Sequence, residues 1–242
     1  IVVDAGVVEP YPHPQVRDLR LGRGTANATQ GPAMTREQAV EAILRGAALA
    51  RELAATGAGL VALGEMGIGN TTSASAIVAV LLGREPAEVC GPGTGLDPDG
   101  VARKIAVVRR MLEVNRPDPD DPLDVLRAVG GFEIAVLAGL VVGSAVARCA
   151  VLLDGFITGA AALVAVRLAP ALFGFLVASH RSPEPGHAAV LEALQLRPVL
   201  DLGLRLGEGA GAALALPIVE ASVAVLGEMA TFAGAGVTDT GR

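Results

Sequence analysis

Aromatic side chains are nearly missing from this chain: tryptophan is absent, Tyr11 is the only tyrosine, and five phenylalanines are spread over 242 residues. That leaves no material for the aromatic belts that anchor membrane proteins at the lipid interface. The uncharged apolar runs are short as well. Ile134 to Ala147 stops at Arg148 and Gly155 to Val166 at Arg167, whereas a bilayer span takes roughly 18–20 residues. The expectation is therefore no membrane association. Positive charge is scarce too, with 19 Lys and Arg against 25 Asp and Glu and a net charge of −6. No basic cluster is available to neutralise a row of phosphates, which points away from nucleic acid and toward a small-molecule ligand. The two cysteines, Cys90 and Cys149, form no CxxC pair and read as reduced thiols of a cytoplasmic protein.

What the chain has is small and aliphatic. Hydrophobic residues make up 52% of it and glycine contributes 31 positions, enough for one large domain, or a domain with a small appendage, around a sizeable core. It opens on Ile1-Val2-Val3-Asp4-Ala5-Gly6, which reads as a buried strand running into a turn and implies that a preceding stretch has been lost. Further short apolar runs at Gly59–Leu63, Ala150–Asp154, Phe175–Ser179 and Val199–Leu202 each lead into helical patterns. Such alternation predicts an α/β fold with a doubly wound, mostly parallel sheet of Rossmann-like connectivity and helices on both faces.

Thr35 to Gly57 gives the clearest helix. It has a Thr35-x-x-Gln38 capping box, apolar positions at Val40, Ile43, Leu44, Ala47 and Leu53, and Gly57 as its stop. Between Glu113 and Asp124 the Pro- and Asp-rich segment reads as a solvated linker, since it lacks EF-hand spacing and a closing Glu. Asp121-Pro122 within it reads as an N-cap with a first-turn proline. Beyond Gly209 a long Ala-rich helix with Pro217 inside it runs almost to the end. The predicted division is a nucleotide-binding catalytic domain over residues 1–208 and a C-terminal segment, 209–242, contributing to a small helical domain.

In a doubly wound sheet ligands bind beyond the carboxyl ends of the strands, and the polar clusters fall there. Gly64 to Thr72 joins a strand to a helix through Gly67, Gly69, Asn70, Thr71 and Thr72. Glycines let the backbone approach an anion, and a helix N-terminus offers free N–H groups, so this reads as a phosphate cradle. It is not a Walker loop, and a plain glycine turn is the bland alternative. A second turn, Gly93-Thr94-Gly95, precedes a helix that carries Lys104, a possible point charge for phosphate. The two turns together are expected to hold phosphate through their N–H groups. Ser179 to His187 concentrates hydroxyls and two histidines. Hydrogen bonding within a stiff loop is a better reading than metal at His180 and His187, for which no third ligand stands at a recognised spacing.

Leu206 to Ala212 places Glu208 among small residues, in a weak GxGxxA pattern without the further strand that a dinucleotide fold needs. Leu-Gly-Glu recurs at Leu63, Leu206 and Leu226, and the third copy lies inside the helical pattern. Glu65 and Glu208 sit at strand-to-helix junctions, where desolvation raises a carboxyl pKa, and they are the acid/base candidates.

Together these segments resemble the nicotinate-nucleotide:dimethylbenzimidazole phosphoribosyltransferase family. The resemblance is carried by VVDAGV, GTANATQGPAMT, GEMGIGNTTSASAI, GPGTGLD, GGFEIAVLAG, LLDGFITGAAAL, SHRSPEPGH and LGLRLGEGAGAALALPIVEA. It implies Glu208 as general base and Glu65 as a second active-site carboxylate on the ribose side. Substrate contacts carry over to Gly67, Gly69, Asn70, Thr71, Thr72, Gly93, Thr94, Gly95, Lys104, Asp154, Ser182 and Leu206. It further implies transfer of phosphoribose from nicotinate mononucleotide to 5,6-dimethylbenzimidazole in cobalamin biosynthesis, no cofactor or metal, a cytoplasmic location and a homodimer. Pro92, Pro183 and Ala210 depart from the family's usual residues. The rival readings are a non-catalytic binder of nucleotide or α-ribazole and, less well supported, an NAD-dependent dehydrogenase.

Overall fold

The computed structural model describes residues 1–236; the last six residues of the predicted segment 209–242 lie outside that range. In chain order the elements are β1 (Val2–Asp4), β2 (Val16–Asp18), α1 (Arg36–Ala55), β3 (Leu60–Ala62), α2 (Thr71–Leu82), α3 (Pro86–Val89) and α4 (Pro98–Asn115). Then follow α5 (Pro122–Val129), α6 (Phe132–Val146), β4 (Ala150–Leu153), α7 (Phe156–Leu168), a 3-10 turn (Pro170–Phe175), β5 (Leu176–Ala178), α8 (Pro185–Ala193) and α9 (Ala210–Glu228).

The fold is α/β and every strand pairing is parallel, as expected. The strands divide differently from the expectation. β3, β4 and β5 form one sheet in that order, while β1 pairs with β2 in a separate two-stranded sheet. β1 is not the buried strand its apolar letters suggest, since Val2 is exposed and only Asp4 is buried. Val3 packs half-buried against the main core, while Val2, on the opposite face of this two-stranded ribbon, is left in solvent. The strand expected at Val199–Leu202 is reduced to a bridge between His180 and Leu200, held by Val199 N–H to Ala178 O at 3.0 Å and Leu200 N–H to Ser179 O at 2.9 Å.

The pleat of the larger sheet sorts its side chains onto two faces. Val61, Val151, Leu153 and Leu176 join the main core with α6 and α7. Leu60, Leu152 and Val177 turn the other way and meet Ala212 and Ala215 of α9. The sheet is thus covered on both faces, as a parallel sheet requires. α6 and α7 are apolar and buried almost all round, as central helices are.

Helix caps follow the local sequence. In α1 the Thr35 side chain accepts the Gln38 N–H and the Gln38 side chain accepts the Thr35 N–H. Asp97 caps α4 by accepting the Gly100 N–H at 2.7 Å, and Asp121 caps α5 at Leu123 and Asp124. The buried face of α1 is only partly the expected one: Ile43 and Leu53 pack half-buried against the core, whereas Val40 and Leu44 are exposed and the fully buried positions are Ala39, Ala42, Gly46, Leu49 and Ala50. The reason is how closely α1 lies on α6. A β-carbon on Gly46 would collide with Val136 O, and one on Gly139 with Ile43 O. So close an approach requires small residues where the two helices touch, at Gly46, Ala47 and Ala50 against Gly139 and Gly143.

Among the described residues one helix is long and apolar enough to cross a membrane: α9, 19 residues long and mostly unburied. Glu220 interrupts its charge-free run. The half of α9 that follows Pro217 is largely solvent-facing, with Val223, Val225 and Leu226 exposed.

Candidate active site

β3 ends against Leu63-Gly64, and from there the chain turns through Glu65 to Asn70 before α2 begins. At the same end of the sheet, Gly207-Glu208-Gly209 leads into α9. A β-carbon on Gly64 would lie 2.7 Å from both Cα and N of Gly209, so the two loops touch through bare backbone. This contact brings Glu65 and Glu208 to the wall of one cavity of about 930 Å³, together with Gly67, Gly69 and Asn70.

Glu208 has φ +59°, flanked by Gly207 at +78° and Gly209 at +81°. Three successive left-handed residues, one of them not glycine, require an anchor. Asp154, at the end of β4, supplies it. Its Oδ2 accepts the Gly209 N–H and its Oδ1 the Ala212 N–H, both at 3.1 Å. Asp154 is buried, 4% exposed, and lies beneath the loop rather than on the cavity wall. Beside it, His180 packs so tightly on Gly211 that a β-carbon there would overlap the imidazole at Nδ1.

Glu65 is mostly buried, and desolvation raises its pKa above the usual carboxylate range; the negative charges of Glu133, Asp154 and Glu208 push the same way, while a hydrogen bond from Asn70 opposes them. Glu208 does not share that environment: it is exposed to solvent, so the burial expected of both carboxylates applies to Glu65 alone.

Glu133 is a site residue that the sequence reading misses. It stands in the first turn of α6 and lines the same cavity. Asn70 Nδ2 donates to Glu65 Oε2 at 2.6 Å and to Glu133 Oε1 at 3.2 Å. Its amide is thereby committed to two carboxylates, although Asn70 occupies the N-cap position of α2, and no side chain caps that helix. An uncapped N-terminus at a glycine loop is suited to an anion.

The remaining predicted residues form a second cluster next to the cavity. Lys104 reaches from α4 to Thr71 Oγ1 at 2.7 Å and Gly91 O at 3.0 Å. A β-carbon on Gly93 would lie 2.9 Å from Thr71 Oγ1, so the two glycine turns meet over this lysine. Ser182 gives its N–H to His187 Nδ1 at 2.9 Å and its Oγ accepts the Glu184 N–H at 3.3 Å. Glu184 Oε1 in turn accepts the Gly93 N–H at 2.8 Å, and Gly95 N–H goes to Pro92 O at 3.1 Å. Two N–H groups expected to face phosphate are thus engaged within the protein, and neither this turn nor Lys104 lines the cavity. Thr71, Thr72, Gly93, Thr94, Gly95, Lys104 and Ser182 stand outside the set of cavity-lining residues, as does Leu206, whose side chain is exposed. Cys90 and Cys149 are buried and free.

The class follows from comparison with known proteins. The profile of a family described as phosphoribosyltransferase matches residues 1–237. The chain belongs to that family. It is 53% identical over 240 residues to a Chloroflexus aggregans protein named nicotinate-nucleotide–dimethylbenzimidazole phosphoribosyltransferase, covering 99% of this chain and 68% of the relative. A protein of the same name from Azotobacter vinelandii is 51% identical over 243 residues, 100% of this chain and 69% of its own length. The crystal structure of CobT from Thermus thermophilus superposes with a TM-score of 0.93 at 48% identity, covering 98% of this chain and 71% of that one.

Proposed function

We propose that this protein transfers phosphoribose from nicotinate mononucleotide to 5,6-dimethylbenzimidazole, giving α-ribazole 5′-phosphate and nicotinate, a step of cobalamin biosynthesis. The observation that carries the reading is the contact of Gly64 with Gly209, which sets Glu65 and Glu208 on one cavity beside the uncapped start of α2.

In this reading one ring nitrogen of the benzimidazole attacks C1′ of the nucleotide with its lone pair. The bond from C1′ to the pyridinium nitrogen breaks, and its electrons return to the ring, which leaves as nicotinate. The proton on the other benzimidazole nitrogen passes to Glu208, the general base, an effect worth roughly 10² to 10⁴ in rate. Positive charge spreads over the ribose as the bond breaks. The cavity wall carries Asp4, Glu65, Glu133 and Glu208 and, among the described residues, no Lys or Arg, which suits a cationic ring and a developing cation. Glu65, held by Asn70, acts on the ribose side. The phosphate lies toward Lys104, Thr71, Thr72 and Ser182, next to the turn of Gly93, Thr94 and Gly95. Gly67 and Gly69 give the backbone room to approach the nucleotide, Leu206 borders the base, and Asp154 acts from beneath through the Glu208 loop.

The exposed apolar residues of α9 after Pro217 support assembly as a homodimer, with that segment part of a small helical domain, because so apolar a surface is costly to leave in water. Light scattering over a wide concentration range tests this: a dimer is expected, and a monodisperse monomer throughout contradicts it. The cytoplasm is the proposed location, in keeping with two free buried thiols. The function itself is tested by incubating the protein with nicotinate mononucleotide and 5,6-dimethylbenzimidazole and analysing for α-ribazole phosphate. Nucleotide binding in calorimetry with no product would favour a non-catalytic binder instead.

A further inference from the structure

A buried ammonium is stable only with a compensating charge. Lys104 is 5% exposed, and the two acceptors it touches, Thr71 Oγ1 and Gly91 O, are both neutral. Among the described residues no carboxylate forms a direct ion pair with it, and the ionisable groups that act on it through space are Glu184, at the N-cap of α8, and the thiol of Cys90. Glu184 is itself 8% exposed. One of its oxygens holds the Gly93 N–H at 2.8 Å, and the other, Oε2, is buried without a hydrogen-bond partner among the described residues. The carboxylate fits under the turn only because residue 91 is glycine: a β-carbon there would stand 2.6 Å from Glu184 Oε2 and 2.6 Å from Pro185 Cδ.

We infer that Glu184 is a positioning residue for nucleotide recognition, pinning the turn from Gly91 to Gly95 and serving as the buried counter-charge of Lys104, so that the ammonium directs its remaining proton to the substrate phosphate. The inference rests on the reading of Lys104 as a phosphate ligand. Burial lowers the pKa of Lys104, and Glu184 opposes that shift, with a smaller contribution from Cys90. Removing the charge of Glu184 therefore makes Lys104 lose its proton at lower pH, and phosphate affinity is lost with it. Glu184→Gln keeps the size of the side chain and an acceptor for Gly93 N–H while deleting the charge.

The test is calorimetric titration with nicotinate mononucleotide and with nicotinate riboside between pH 7 and 10, on wild type, Glu184→Gln, Glu184→Asp, Lys104→Met and the Glu184→Gln/Lys104→Met double variant, with folding checked by circular dichroism. The affinity advantage of mononucleotide over riboside reports the phosphate site. Glu184→Gln is expected to shift the alkaline loss of that advantage about one pH unit lower, up to tenfold weaker mononucleotide binding in that range, with riboside affinity unchanged. Glu184→Asp, which keeps the charge, is expected to follow the wild-type profile, and Glu184→Gln to have no further effect in the Lys104→Met background. An unchanged or tighter mononucleotide affinity in Glu184→Gln, an Asp variant that behaves like the Gln variant, or the same loss without Lys104 would overturn the role of Glu184. If Lys104→Met alone leaves the advantage intact, the phosphate reading of Lys104 falls, and the inference with it.

Discussion

Gly64 and Gly209 meet backbone to backbone, with no room for a β-carbon between them: on Gly64 it would lie 2.7 Å from Gly209 Cα. Each glycine adjoins a carboxylate, Glu65 on one loop and Glu208 on the other, so the contact sets the spacing of the proposed catalytic pair. Gly64→Ala should therefore force the loops apart by a distance on the order of an ångström. Misplacement of that size can lower turnover by roughly a hundredfold. Steady-state kinetics should show the loss in kcat more than in nucleotide KM, and wild-type turnover in this variant would show that the spacing is not decisive.

Asp154 holds the Glu208 loop from below through the N–H groups of Gly209 and Ala212. Asp154→Ala leaves both donors without their acceptor in a buried site, at a cost of about 2–3 kcal/mol, and releases the left-handed conformation at Glu208. Urea denaturation should register the destabilisation. Turnover measured well below the transition should fall as well, whereas Asp154→Asn, which keeps one acceptor, should fall between Ala and wild type on both measures.

Much of the fold is local enough to be legible in the sequence. Thr35 with Gln38, Asp97 and Asp121 each cap a helix within three residues of themselves, and such pairings need nothing from the rest of the chain. Features set by distant contacts are not legible in this way. Leu44 carries the helical period of a core residue yet is exposed, because the face of α1 that meets α6 is fixed by the close approach at Gly46, Gly139 and Gly143. β2, Val-Arg-Asp, is too short and too charged to announce a strand. Glu133 escapes notice because it opens a helix identified by its apolar pattern; the glycine pair before it in GGFE, which lets the carboxylate fold back at the helix start, is the available signal. Glu65 and Glu208 have similar sequence surroundings, yet only Glu65 is desolvated, since burial depends on what packs above each loop.

His187 gives a pH dependence of stability. It is 2% exposed, its Nδ1 accepts the Ser182 N–H, and burial, with the neighbouring charges of His180 and Arg181, lowers its pKa from 6.5 to about 4. Between those values the unfolded chain binds a proton that the folded chain refuses, so stability falls as pH drops through 6.5 toward 4. The loss amounts to something on the order of 3 kcal/mol. Urea unfolding at pH 7, 5 and 4 measures it, and His187→Gln should flatten the slope while lowering stability at neutral pH. An unaltered slope in that variant would assign the acid sensitivity to other groups.

Glu208 as proton acceptor is the point on which the proposed chemistry depends, and comparing nicotinate release by wild type, Glu208→Gln and Glu65→Gln tests it most directly. Glutamine preserves the shape of either carboxylate and removes its basicity. Glu208→Gln is expected to lower kcat by roughly two to four decades with nucleotide affinity little changed, and Glu65→Gln to alter nucleotide binding as well as rate. Undiminished turnover in Glu208→Gln beside an inactive Glu65→Gln would contradict the assignment and move the base to Glu65.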